Sequence, residues 1–161
     1  MDAPRAIVLS AAAIMIVMAL ATGPAGPLTI PLLDTGQPPG TGSAAVTIVA
    51  EPGQPIIDQG RQGSDVRYLR VPDIGIEVRD LHGNPTLTYT ITVPALDYSR
   101  SSIHFLGQAG EGRHAVGLTE DALGAGRLGE GPYTGRLELV LRDSQGTRTI
   151  YSASTVVEVV D

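Results

Sequence analysis

A strict alternation of apolar and polar side chains constrains this chain most. In residues 86–93, Leu87, Tyr89, Ile91 and Val93 alternate with threonines. Successive side chains of a β-strand point to opposite faces, so this pattern predicts one face in a core and a threonine ladder towards water. The sequence therefore predicts a β-sheet here and not a helix.

The same two-residue period recurs along most of the chain after residue 43. Further apolar alternations occupy residues 46–50, 74–78, 137–141 and 157–159. Segments typical of turns separate them, at residues 80–85 and 143–146, and Pro72 and Pro94 mark strand ends. About seven strands with such punctuation predict an all-β sandwich.

One short helix is also predicted near the middle of the C-terminal half. Thr119 is a suitable N-cap, residues 120–123 follow as its single turn, and Gly124 ends it. This helix falls inside a glycine-rich segment, residues 107–131, for which the sequence predicts a long loop.

Residues 131–146 carry a more specific pattern. Tyr133 precedes an alternation of leucines, and a turn from Asp143 to Gly146 follows it. This resembles the penultimate strand and hairpin of prokaryotic immunoglobulin-like extracellular modules. The resemblance implies an immunoglobulin-like β-sandwich with Tyr133 at the tyrosine-corner position, its hydroxyl bonded to nearby backbone. The chain departs from that pattern in its segment 107–131 and in lacking tryptophan.

An uncharged apolar run at residues 6–21 predicts export. Arg5 precedes the run and Asp34 is the next charge, which favours a cytoplasmic N-terminus with the rest of the chain outside. A helix of roughly 17 residues spans about 25 Å, short for a bilayer core of about 30 Å. Ala19 and Ala21 supply a cleavage pattern. A cleaved signal peptide and a retained membrane anchor both stay open.

A third interpretation of the N-terminus is a pilin-like one. The sequence from Arg5 to Ile7 resembles the cleavage motif of archaeal prepilin-type signals, in which the apolar helix is kept for assembly. Residues 22–43 contain five prolines and five glycines, which predicts a linker. The domain organisation is therefore residues 1–21 as signal or anchor, 22–43 as linker, and 44–161 as the β-sandwich domain.

Composition excludes several classes of function. A formal net charge of -6 argues against nucleic-acid binding, which needs clustered cations. The absence of cysteine excludes disulfides, thiolate catalysis and cysteine-based metal sites. All 11 basic residues are arginine. Either GC-rich codon usage or a composition like that of salt-adapted archaeal proteins explains this bias.

No motif in the sequence indicates catalysis. The three histidines have no metal-site spacing, and Asp80, His82 and Asn84 lack the downstream carboxylate of a calcium loop. The serines show no nucleophile elbow. The acidic residues of segment 107–131 are typical of a solvated loop; they are Glu111, Glu120, Asp121 and Glu130. The sequence thus predicts no catalytic, cofactor-binding or metal-ligating residue and no cofactor.

The sequence therefore predicts a non-enzymatic module of the cell envelope, outside the cytoplasm, secreted or anchored. It is structural or mediates an interaction with an envelope protein, and it touches the membrane only if the apolar segment is uncleaved. If the module binds a partner, segment 107–131 is the expected contact surface, with the threonine face of residues 86–92 or the apolar N-terminal segment as the next candidates. The other interpretation of segment 107–131 is a variable surface loop with no partner. The alternative is a subunit of a surface appendage or membrane assembly.

Overall fold

The described part of the chain folds mainly into β-strands, which confirms the predicted all-β class. The structure, a computed structural model, describes residues 37–59, 66–124 and 131–160, together with Gly126, Leu128 and Gly129. The strands are β1 (Thr41–Ala50), β2 (Ile56–Gln59), β3 (Val66–Arg70), β4 (Ile74–Asn84), β5 (Thr86–Val93), β6 (Tyr98–Phe105), β7 (Gly112–Val116), β8 (Asp121–Gly124), β9 (Tyr133–Asp143) and β10 (Gly146–Val159). A four-residue helix, α1 (Leu106–Ala109), follows β6, and a 3₁₀ turn (Pro94–Leu96) follows β5.

The strands form two sheets. The smaller has the order β1-β4-β7, and the larger has the order β6-β5-β9-β10-β2-β3-β8. All neighbours are antiparallel except β2 and β10, which pair in parallel through Glu158 with Ile56 and Val159 with Ile57. The long strand β10 thus pairs with β9 over most of its length and with β2 at its end.

One hydrophobic core collects the inner faces of both sheets. Its most deeply buried side chains include those predicted from the alternation: Ile74, Ile76, Val78, Leu87, Tyr89, Ile91, Val93, Leu137, Leu139 and Leu141. The threonines between them on β5 are half-buried, apart from buried Thr86. The core assignment of these strands is confirmed, because each side chain lies on the face that the two-residue period assigns to it.

The predicted turn at residues 80–85 is wrong in its extent. Strand β4 continues to Asn84, and the chain leaves the smaller sheet only at Pro85. The pairing of β1 with β4 shifts register at Ala44, so the turn-like residues of β4 form an irregularity within the strand. Asp80 adopts a φ of 51° at this point. Aspartate tolerates this left-handed conformation better than most residues, so a turn signal here marks a β-bulge.

The predicted hairpin at residues 143–146 is confirmed. Asp143 pairs with Gly146, and only Ser144 and Gln145 lie between β9 and β10. The Asp143 carboxylate accepts a hydrogen bond from the Gln145 backbone N–H at 2.8 Å and forms an ion pair with Arg148 at 2.9 Å. Gly146 has a φ of 121°, which glycine adopts without steric cost.

The described residues form ten strands, against about seven predicted. Four of the ten, β2, β3, β7 and β8, have only four or five residues each. The helix predicted at residues 119–124 is wrong, because Asp121–Gly124 is β8 and pairs with β3. A single helical turn is unfavourable by itself, whereas strand pairing buries Leu123 against the core.

The first strand begins at Thr41, three residues before the predicted domain start at residue 44. Two hydrogen bonds fix the start of this strand. The Gly40 N–H donates to the Asn84 carbonyl at 2.8 Å, and the Gly42 N–H donates to the Ser144 hydroxyl at 2.7 Å. The predicted signal or anchor segment, and most of the predicted linker, lie outside the described residues. Within the described part of the chain, no helix has the length and apolar character needed to cross a membrane.

Candidate functional site

Segment 107–131, the expected contact loop, is not a long loop. It contains α1 residues, then β7 in the smaller sheet and β8 in the larger one. Val116 and Leu123 from these strands are buried in the core. The expectation of a long loop is therefore wrong, because residues 112–124 form a crossover that contributes a strand to each sheet. Whether this crossover contacts a partner stays a prediction.

Side chains of β6 hold this crossover in place. The carboxylate of Asp121 accepts a hydrogen bond from the Tyr98 hydroxyl at 3.0 Å and pairs with Arg100 at 3.1 Å. The His104 ring lies 3.0 Å from the carbonyl of Gly117. Because β6 and β8 stand at opposite ends of the seven-strand order, Asp121 joins the two ends of the larger sheet.

The threonine face predicted on β5 belongs to a wider surface. Four strands contribute to it in the order β6-β5-β9-β10, and their registers align side chains in rows across the sheet. We call this surface the hydroxyl face; its residues are Ser99, Thr92, Arg136 and Ser154 in the first row, Ser101, Thr90, Glu138 and Ser152 in the second, Ile103, Thr88, Val140 and Thr149 in the third, and Phe105, Thr86, Arg142 and Thr147 in the fourth.

Hydrogen bonds tie neighbouring strands together on the hydroxyl face. Thr90 and Ser101 hydroxyls lie 2.8 Å apart, and those of Thr92 and Ser99 lie 3.2 Å apart. Arg136 donates to the Ser152 hydroxyl at 3.2 Å. A hydroxyl can donate one hydrogen bond and accept two, so each of these groups keeps capacity for a partner.

The hydroxyl face changes character towards β6. Ile103 is 60% exposed and Phe105 is 37% exposed, two of the few large apolar side chains left in water on the described residues. Charges of both signs, from Arg136, Glu138 and Arg142, lie on β9 in the middle of the face. The surface therefore combines hydroxyls, charges and an apolar margin on a rigid sheet, which suits binding of a polar macromolecule.

Two surface grooves lie near the hydroxyl face. One, of about 380 Å³, is lined by Pro94, Tyr133, Arg136 and Ser154 among others. The second groove, of about 460 Å³, lies between residues 51–54 and residues 151–156 of β10. Each lining contains a single charged side chain, Arg136 in the first and Glu51 in the second.

The three histidines lie on different strands, and two of them contact backbone carbonyls. His82 is exposed on β4, and His104 contacts the crossover. The His114 ring lies 3.0 Å from the Gly110 carbonyl. Among the described residues, no group of three or more histidine, aspartate or glutamate side chains could hold a metal ion.

The carboxylates of segment 107–131 also have separate partners. Glu111 accepts the Leu81 N–H at 2.8 Å, and Glu120 lies 3.3 Å from Arg70. Glu130 lies outside the described residues. The three described carboxylates, Glu111, Glu120 and Asp121, thus contact different partners.

Comparisons with protein-family models, with curated proteins and with solved structures found no match. The residues themselves must therefore carry any assignment. The sequence identified the β5 part of the hydroxyl face through its threonine ladder. It missed the serines of β6 and β10, because strand order and register, which decide which residues share a face, are not visible in a single strand.

Proposed function

We propose that this chain is a non-enzymatic, immunoglobulin-like module of the cell envelope that lies outside the cytoplasm and binds a protein partner through its hydroxyl face. The hydroxyl face is the observation that carries the proposed binding role. It is built from rigid sheet, so binding through it costs little conformational entropy.

Strand order supports the immunoglobulin-like assignment. Immunoglobulin-like domains place strands A, B and E in one sheet and strands C, F and G in the other, with C′ beside C in some classes. The sheet β1-β4-β7 corresponds to A-B-E, and β6-β5-β9-β10 corresponds to C′-C-F-G. The short strands β2, β3 and β8 are additions to that plan.

Two tyrosines support the same assignment. Tyr89 is fully buried on β5, the strand that carries the core tryptophan of antibody domains. Tyr133 begins β9, and its hydroxyl accepts from the Gly129 N–H at 2.6 Å and donates to the Gly129 carbonyl at 2.9 Å. This contact four residues upstream is the bond expected of a tyrosine corner.

Location outside the cytoplasm is supported by the sequence alone, through the apolar run of residues 6–21 and the flanking Arg5. The competing role, a subunit of a surface appendage, uses the same run for assembly. The mass of the mature N-terminus separates these cases. A start near Thr22 indicates secretion, a start at Ile7 indicates a pilin-like subunit, and an intact Met1 indicates an anchor.

Charge reversal on the hydroxyl face tests the binding role. Arg136→Glu with Arg142→Glu should remove the envelope proteins that copurify with the wild-type chain, because both arginines lie among the exposed hydroxyls. The matched control is Arg79→Glu, on the outer side of the smaller sheet, where the arginine is 71% exposed. Loss of the same partners in the control, or their retention in the double variant, would exclude the hydroxyl face.

A further inference from the structure

Strand β6 ends the larger sheet with an edge that no other described strand covers. It pairs with β5 through eight consecutive residues without a register shift. The other terminal strands are less suitable for pairing: β7 and β8 have five and four residues, and β1 is interrupted by two register shifts. A long regular edge is a template for another strand, because its outward N–H and C=O groups are unpaired within the sheet.

Strand β6 has neither a proline nor a register shift, two of the devices that protect an edge. The strand also contains no lysine. Arg100 is its one arginine, and Asp121 offsets that charge from within the fold at 3.1 Å. The side chains on the hydroxyl face of β6 are uncharged: Ser99, Ser101, Ile103 and Phe105.

We propose that β6 pairs antiparallel with β6 of a second copy of this chain, about a two-fold axis at Ile103. Paired residues of antiparallel strands point to the same face, so Ile103 would lie beside Ile103 of the second copy, and Ser101 beside the second copy's Phe105. This pairing brings the exposed apolar side chains of the two copies into cross-strand contact, which shields part of their surface, and it joins the two hydroxyl faces into one continuous surface.

The charge distribution makes this edge less repulsive to a second copy than most of the surface. The whole chain has a formal net charge of -6, so two copies repel each other over most of their surfaces. Strand β6 contributes no carboxylate. In the proposed register the two Arg100 side chains are separated by about 20 Å along the strands, beyond the Debye length of about 8 Å at physiological ionic strength.

Disulfide trapping tests this register, because the chain contains no cysteine of its own. The full chain is purified in detergent and oxidised mildly in three variants. Ile103→Cys places identical positions at the axis, and Ser101→Cys combined with Phe105→Cys places two cysteines opposite each other between copies. Ser152→Cys, on β10 of the same face, is the control. Within one copy positions 101 and 105 are about 14 Å apart, too far for an internal disulfide.

We expect linked dimers from Ile103→Cys and from the double variant, and only monomers from Ser152→Cys and from each single substitution at 101 or 105. Adding Ile103→Lys to the double variant should abolish linkage, since two ammonium groups would meet at the axis. Thr149→Lys, in the same row on β10, should leave linkage unchanged. Monomers from both linking variants, or equal linkage at Ser152→Cys, would overturn the proposal. Circular dichroism of each variant confirms that it is folded.

Discussion

Leu139 and Glu138 are neighbours on β9 whose side chains lie on opposite faces of the larger sheet. Leu139 is fully buried among the core side chains, and Glu138 lies on the hydroxyl face. Leu139→Ala should lower the free energy of unfolding by about 2–5 kcal/mol, because it leaves a cavity. Glu138→Ala should lower it by less than about 1 kcal/mol. Urea unfolding measures both, and equal losses would contradict the register of β9.

Tyr89 is a second residue whose burial has a measurable consequence. Its hydroxyl donates to the Pro72 carbonyl at 3.2 Å, and burial raises its pKa well above the usual value of 10. In the unfolded chain Tyr89 ionises above about pH 10, whereas the folded state keeps it neutral, so its contribution is complete below pH 10 and is lost as pH rises further.

Tyr89→Phe isolates that contribution. At pH 7 the variant should be less stable by about 1 kcal/mol, the value of one hydrogen bond. Above pH 10 the wild-type chain loses stability through Tyr89 and the variant does not, so the difference should shrink. Urea unfolding from pH 7 to pH 11 measures it, and a difference that stays constant would contradict the burial of this hydroxyl.

At the level of elements, Asp121 connects strands that are distant in the sheet order. Its carboxylate binds both Tyr98 and Arg100 on β6, and its side chain is 33% exposed. Asp121→Ala should lower the free energy of unfolding by about 1–3 kcal/mol, because both β6 side chains lose a charged partner. Glu120→Ala, whose side chain is 60% exposed, should cost less than about 1 kcal/mol. Similar losses would mean that Asp121 is an ordinary surface carboxylate.

The same segment shows what the sequence could and could not predict. The long strands were predictable, because the alternations around Ile76, Tyr89 and Leu139 are extended and each alternation has one buried face. Strands β7 and β8 were not, because four or five residues with glycines nearby read equally well as loop. Their conformation depends on pairing with strands distant in sequence: β7 pairs with β4, and β8 pairs with β3. The extent of the hydroxyl face depends on strand pairing in the same way.

At the scale of the whole molecule, the two ends of β10 have different neighbours. The chain enters β1 beside the β9–β10 turn, where Gly42 and Ser144 exchange hydrogen bonds. The other end of β10 pairs with β2 and ends at Val159. A protein fused beyond β10 therefore follows the end of the strand that is opposite the entry of the chain, and it should leave β1 and its contacts undisturbed.

This arrangement makes Asp161 a suitable point for testing location. We expect a phosphatase that is active only after export to be active when fused there, because we propose that Arg5 and the apolar run of residues 6–21 direct the following chain across the membrane. A fluorescent protein that matures only in the cytoplasm should stay dark at the same point. Deleting residues 6–21 is the matched control, and it should reverse both signals since it leaves every described strand intact. Fluorescence from the full chain, without phosphatase activity, would place the β-domain in the cytoplasm and remove the envelope role. Phosphatase activity that survives the deletion would mean that residues 6–21 do not direct export.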